Sequence, residues 1–118
     1  MILKQRQFIG RLFYLWLGFS LVALFYPGSS QAGLPYVDKV VHFILFGILF
    51  LLARLYWVGQ RKVIWSGVFL YMVAAELIQH FFIPGRGAEV GDVIAGVMGV
   101  AVVDYFLISF LKLDKEYA

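Results

Sequence analysis

The sequence predicts an all-α membrane protein, a compact bundle of four transmembrane helices. Hydrophobic residues make up 63% of its 118 residues and charged residues only 14%, whereas soluble domains are roughly 45–50% apolar and about 25% charged. Four apolar runs each approach the roughly 20 residues that a helix needs to cross a hydrocarbon core. Within these runs the apolar residues are continuous and do not alternate, which argues against β-strands.

The breaks between the apolar runs define the predicted spans. Proline and glycine interrupt helices, and they separate the first span from the second at Pro27 and Gly28, and the third from the fourth at Pro84 and Gly85. A polar turn at residues 59–62 separates the second span from the third. The chain is therefore predicted to be a single domain, residues 1–118, with spans at about residues 8–26, 38–57, 63–83 and 89–111.

Basic residues fall mainly on one side of the predicted bundle. Of the ten lysines and arginines, only Lys39 and Arg86 lie near the loops that follow the first and third spans. Since basic residues in short loops stay in the cytoplasm, we expect both termini on the cytoplasmic side of the membrane. A rival interpretation makes the first span a signal peptide that is cleaved after residues 30–32; we expect the uncleaved, multi-pass chain.

Polar residues inside the apolar runs concentrate near the predicted outer face. Asp38 and His42 are four residues apart and share one face of the second helix, where Asp38 is also a candidate N-cap. Glu76, Gln79 and His80 share one side of the third helix. Because a charge at mid-bilayer costs about 3 kcal/mol on insertion scales, this side should face protein or water.

Two further polar residues follow the third span. Arg86 stands among glycines, where its guanidinium can reach Glu76, Asp92 or an anion from solvent. Asp92 opens the fourth span, and Glu89 precedes it at the same level. The sequence thus predicts a ligand-binding site whose candidate residues are Asp38, His42, Glu76, Gln79, Arg86 and Asp92.

The fourth span also carries structural signals. Small residues recur in steps of four at Gly87, Gly91, Ala95 and Gly99, and such a stripe lets another helix approach closely. We expect this approach to bring Asp92 against the third span.

A second acidic residue of the fourth span lies on its cytoplasmic half. Asp104 is away from the outer polar residues, and a structural ion pair is the expected reason for it. Arg54, Arg11 and Lys62 are its predicted partners.

The order and spacing of these motifs resemble the VanZ-like family of membrane proteins, which is associated with low-level resistance to the glycopeptide teicoplanin. The resemblance covers about residues 36–103. It rests on four motifs: Asp38-Lys39-Val40-Val41-His42-Phe43, Glu76-Leu77-Ile78-Gln79, Pro84-Gly85-Arg86, and Asp92 followed seven positions later by Gly99. The family usually has an asparagine four residues after this aspartate, where the present chain has Gly96. The resemblance implies a role in the cell envelope and a location in the bacterial inner membrane.

Three functional interpretations are open at this point. The leading one is an outward-facing polar site that engages an envelope lipid or an amphiphilic antibiotic and contributes to glycopeptide or lipoglycopeptide resistance. An enzyme acting on a lipid-linked substrate is the second, with His42, His80, Glu76 and Asp92 as acid–base groups or metal ligands. The third is a purely structural or interaction subunit.

The expected partners follow from the composition. The lipid bilayer is the first of them, and the chain can also assemble as an oligomer. No nucleic-acid partner is expected, because the basic residues are dispersed and do not form a patch. The sequence has no cysteine, which excludes thiol chemistry, and we expect neither a metal nor a cofactor.

Overall fold

A computed structural model of the chain describes residues 3–25, 37–82 and 90–110. It contains four α-helices, which are α1 (Leu3–Phe25), α2 (Val37–Tyr56), α3 (Arg61–Phe82) and α4 (Val90–Ser109). Each is long and apolar enough to cross a membrane, and the described ranges contain no strand. The predicted bundle of four helices is therefore confirmed, while the assignment of residues 1–118 to a single domain stays a prediction.

The helices differ from the predicted spans mainly at the amino end. Helix α1 begins at Leu3, although the apolar run begins near residue 8. The segment from Lys4 to Gln7 is polar, but lysine, arginine and glutamine are good helix formers, so the helix extends beyond its apolar part. The hydrophobic pattern alone therefore underestimated the length of α1.

Helix α2 is central to the bundle. It packs against all three other helices, and most extensively against α4. The buried core centres on Leu45, Phe46, Leu49 and Phe50 of α2, together with Met72 of α3. Large apolar side chains elsewhere on the helices are exposed, as expected where a surface faces lipid and not water.

Backbone contact between α2 and α4 occurs at two glycines. A Cβ on Gly99 would overlap the carbonyl oxygen of Phe43, and it would lie 2.9 Å from the Phe43 carbonyl carbon. A Cβ on Gly47 would lie 3.3 Å from the carbonyl oxygen of Gly99. The two helices therefore approach to a distance that a side chain at Gly99 would not allow.

Hydrogen bonds from side chains fix α1 to its neighbours. The Trp16 indole donates to the carbonyl oxygen of Leu45 in α2 at 2.9 Å. The hydroxyl oxygens of Ser20 and Tyr71, in α1 and α3, are 2.6 Å apart. Ser20 also donates to the carbonyl oxygen of Leu17, so Tyr71 is the donor to Ser20. These bonds fix the orientation of α1, because apolar contacts alone have little directional preference.

A short turn connects α2 and α3. Gly59 adopts a φ of 86°, which is the left-handed region that glycine enters at little cost. The carbonyl oxygen of Gln60 then accepts the backbone N–H of Ile64 at 2.9 Å. The chain therefore reverses at Gly59 and starts α3 within two residues.

Replacing Gly99 with alanine should destabilise the bundle by about 1–3 kcal/mol, the usual cost of overpacking. The added Cβ meets backbone of α2, which cannot rotate away, so the two helices must separate. Thermal unfolding of the purified chain in detergent measures the loss. Gly67→Ala is the matched control because its Cβ would meet nothing within 4 Å, and this variant should be as stable as the wild type or more so. Equal losses in both variants would contradict the contact.

Candidate functional site

Three buried ionisable side chains meet at one end of the bundle. They are His42 of α2, Glu76 of α3 and Asp92 of α4, with exposed fractions of 3%, 5% and 5%. One ligand atom from each lies within 4.8 Å of the others. We call these three residues the outer cluster, because they belong to the end of the bundle that the charge distribution predicts to face outward.

Two contacts orient the outer cluster. His42 Nε2 lies 3.3 Å from Glu76 Oε1, and Lys39 Nζ lies 3.6 Å from Asp92 Oδ1. Lys39 is one helical turn before His42 in α2, so both side chains reach the same space. The ammonium offsets part of the negative charge that Glu76 and Asp92 bring into the bundle.

The backbone of α2 fixes the His42 ring. Its Nδ1 atom lies 2.7 Å from the carbonyl oxygen of Asp38. A carbonyl oxygen only accepts, so Nδ1 carries the proton and donates it. In a neutral imidazole the remaining lone pair is then on Nε2, which is the atom that faces Glu76.

An apolar groove runs beside the outer cluster. It lies between α1 and α2, has a volume of about 510 Å³, and includes Asp38 and His42 among its lining residues. Apolar side chains such as Phe19, Leu24 and Val41 form most of the remaining wall. His42 therefore belongs both to the groove and to the outer cluster, and it connects an apolar surface with a charged one.

Some of the predicted site residues lie elsewhere. The Gln79 amide donates to the carbonyl oxygen of Leu24 in α1, and no described contact joins it to the outer cluster. Gln79 therefore connects α3 to α1. His80 is exposed. Arg86, with Gly87 and Glu89, lies outside the described residues.

Asp38 contributes differently from the prediction. Helix α2 begins at Val37, so Asp38 lies in the first turn and is not the N-cap. A carboxylate in the first turn is still favoured by the helix dipole. Its backbone carbonyl, and not its carboxylate, contacts His42.

The described part of the small-residue stripe packs against α2, and the predicted approach of Asp92 to the third helix is also present. A Cβ on Gly91 would lie 2.8 Å from Cε of Lys39, and Gly99 meets Phe43. Ala95 is half-buried. Because the stripe places α4 directly on α2, Asp92 reaches Lys39 of α2 as well as the carboxylate of α3.

Side chains of α2 and α3 pack closely against Gly96. A Cβ there would lie 3.0 Å from Met72 Sδ and 3.0 Å from Phe46 Cδ2. The VanZ-like proteins that this chain resembles usually have an asparagine here. An asparagine at position 96 would require both side chains to move. In this chain apolar atoms therefore pack over the position where the amide would stand.

A second charged cluster lies at the opposite end of the bundle. Arg61 Nη2 lies 2.7 Å from Asp104 Oδ2, and Arg61 Nε donates to both carboxylate oxygens at 3.1 Å. Arg54 also acts on this carboxylate electrostatically. The predicted structural ion pair of Asp104 is present, but its main partner is Arg61.

Two residues that matter in these clusters were missed from the sequence. Lys39 and Arg61 had not been predicted as site residues or as ion-pair partners. The spacing of Lys39, three residues before His42, already placed it on the His42 face. Arg61 gave no comparable signal, because its contact with Asp104 joins the start of α3 to the later half of α4.

Comparison with known proteins identifies a family. A family model described as VanZ/LLP1 matches residues 2–112, nearly the whole chain. No curated protein and no solved structure matches the chain.

Arg61→Ala should destabilise the bundle by about 1–3 kcal/mol, because it removes the bidentate partner of the buried Asp104 carboxylate. The side chain of Arg61 is 43% exposed, which keeps the loss below that of a fully buried pair. Arg61→Lys should recover only part of the loss, since lysine lacks the planar fork. Thermal unfolding in detergent measures both, with the exposed neighbour Lys62→Ala as control. A loss of the same size in the Lys62 variant would argue against the ion pair.

Proposed function

Because the chain belongs to the VanZ/LLP1 family, we propose that this multi-pass membrane protein binds an amphiphile of the cell envelope or a lipoglycopeptide antibiotic. Binding lowers the susceptibility of the cell to such antibiotics. The observation that carries the proposal is that the apolar groove and the charged outer cluster share His42. An amphiphile also has an apolar and a charged part joined at one point.

The groove suits the apolar part of such a ligand. Its volume of about 510 Å³ falls within the range of about 300–1,000 Å³ that is typical of small-molecule sites. Exposed residues such as Phe19 and Val22 belong to its rim. In a membrane these residues contact lipid, so an acyl chain would enter the groove sideways from the bilayer.

The outer cluster suits the polar part. The side chain of Lys39 is 35% exposed, so its ammonium can turn from Asp92 toward an anionic group at the membrane surface. Asp92 and Glu76 would then accept hydrogen bonds from amine or hydroxyl groups of the ligand. Arg86 adds a second cation to this site in the proposal, because it follows α3 in the sequence.

The proposal includes an orientation. Basic residues flank both termini and the turn between α2 and α3, and such residues are retained in the cytoplasm. The outer cluster would then face outward from a bacterial inner membrane, with both termini inside. Envelope lipids and antibiotics reach that face directly.

Filling the groove should abolish the effect on susceptibility. Val41 lines the groove and is 41% exposed, so Val41→Trp adds bulk there without disturbing the core. Cells that express this variant should be as susceptible to a lipoglycopeptide as cells without the chain, whereas the wild type protects. Glu76→Gln should have the same effect, since it removes a charge from the outer cluster. The measurement is the minimal inhibitory concentration at equal membrane expression.

The matched control is Val102→Trp. Val102 is 44% exposed on α4 and does not line the groove, so this variant should protect like the wild type. A glycopeptide that lacks the acyl chain should show a smaller difference between wild type and Val41→Trp. Equal susceptibility with and without the wild-type chain would contradict the proposed function.

A further inference from the structure

The outer cluster also has the composition of a metal site. We propose that His42, Glu76 and Asp92 bind one divalent transition-metal ion, of the class of Zn²⁺ or Mn²⁺. An imidazole nitrogen and two carboxylate oxygens are ligands that such ions accept, whereas Mg²⁺ and Ca²⁺ prefer sites made of oxygen alone. The inference concerns a bound ion and stands independently of antibiotic susceptibility.

The spacing of the ligand atoms fits a small cation. Metal–ligand bonds of about 2.0–2.2 Å place neighbouring ligands of a tetrahedral ion roughly 3.3–3.6 Å apart. His42 Nε2 and Glu76 Oε1 are 3.3 Å apart, within this range, and a ligand atom of Asp92 completes a set that lies within 4.8 Å.

The His42 ring is already oriented as a ligand. Its Nδ1–H donates to the Asp38 carbonyl oxygen. Metal-binding histidines commonly donate from one ring nitrogen to a carbonyl or carboxylate oxygen in this way, while the other nitrogen binds the metal. The Nε2 atom is fully buried and, among the residues that the structure describes, makes no hydrogen bond of normal geometry. A metal ion would give this nitrogen a partner for its lone pair.

A bound dication would change the contacts of Asp92. Its carboxylate is buried in the apolar bundle and lies beside the Lys39 ammonium. One divalent ion would neutralise both carboxylates, and the partly exposed Lys39 ammonium could then turn to solvent. Lys39 therefore competes with the metal for Asp92, which distinguishes a metal site from a purely structural network.

Direct binding measurements test the inference. The full chain is purified in detergent, stripped of metal with a chelator, incubated with Zn²⁺ or Mn²⁺ and desalted, and bound metal is measured by mass spectrometry. The expected result is about one ion per chain and a rise in the unfolding temperature, because an ion that binds only the folded state stabilises it. Mg²⁺ should produce neither effect at the same concentration.

Variants separate the outer cluster from other ligands in the chain. His42→Gln and Asp92→Asn should bind the ion at least about tenfold more weakly. His80→Gln and Asp104→Asn are their matched controls and should bind like the wild type, because His80 is exposed and Asp104 belongs to the opposite end. Equal losses in His42→Gln and His80→Gln would overturn the inference.

Lys39→Met keeps the test decisive if the ligand variants fail to fold. Removing the competing ammonium should tighten metal binding several-fold. If the charged residues form only a structural network, the Lys39→Met variant should instead be less stable than the wild type and bind no metal. Wild-type chain that retains no ion after desalting and shows no thermal shift would likewise overturn the inference, whatever its effect on antibiotic susceptibility.

Discussion

The backbone contact between α2 and α4 is the constraint on which the arrangement of the outer cluster depends. A lipid-exposed helix gains little from the hydrophobic effect when it packs on another helix, since lipid is as apolar as leucine. Close approach and the dispersion contacts that it allows must supply the stability. Gly99 permits this approach at Phe43, and it sets the position of Asp92 two turns earlier in α4, where the carboxylate meets Lys39 of α2.

Buried charges at both ends of the bundle serve this arrangement in different ways. The Arg61–Asp104 pair is bidentate and hydrogen-bonded, so its geometry is already complete. The outer cluster brings one imidazole and two carboxylates from three helices together, and Lys39 contacts one of these carboxylates. The ligand atoms of the cluster lie within 4.8 Å of one another, and His42 also lines the apolar groove, which is why we assign binding to this end.

The sequence predicted the fold more completely than the site. Four apolar runs sufficed for the four helices, because length and hydrophobicity decide whether a segment spans a membrane. The helical spacing of Glu76 and the position of His42 also predicted which faces turn inward. Partners across the bundle were not predictable in the same way, since they depend on which helices touch. Gln79 donates a hydrogen bond to α1, and Asp104 pairs with Arg61. The spacing of residues within one helix cannot predict either of these contacts between helices.

The groove adds a constraint on how any ligand reaches the outer cluster. His42, Glu76 and Asp92 are each at most 5% exposed, so a water-soluble molecule larger than a single ion cannot contact all three without movement of a helix. The groove between α1 and α2 is bounded by lipid-facing side chains and reaches His42 directly. Helix α1 packs less extensively on the bundle than α4 does, and side-chain hydrogen bonds from Trp16 and Ser20 attach it. A ligand that arrives within the bilayer would therefore meet the groove first, while the contact between α2 and α4 keeps the charged residues in place.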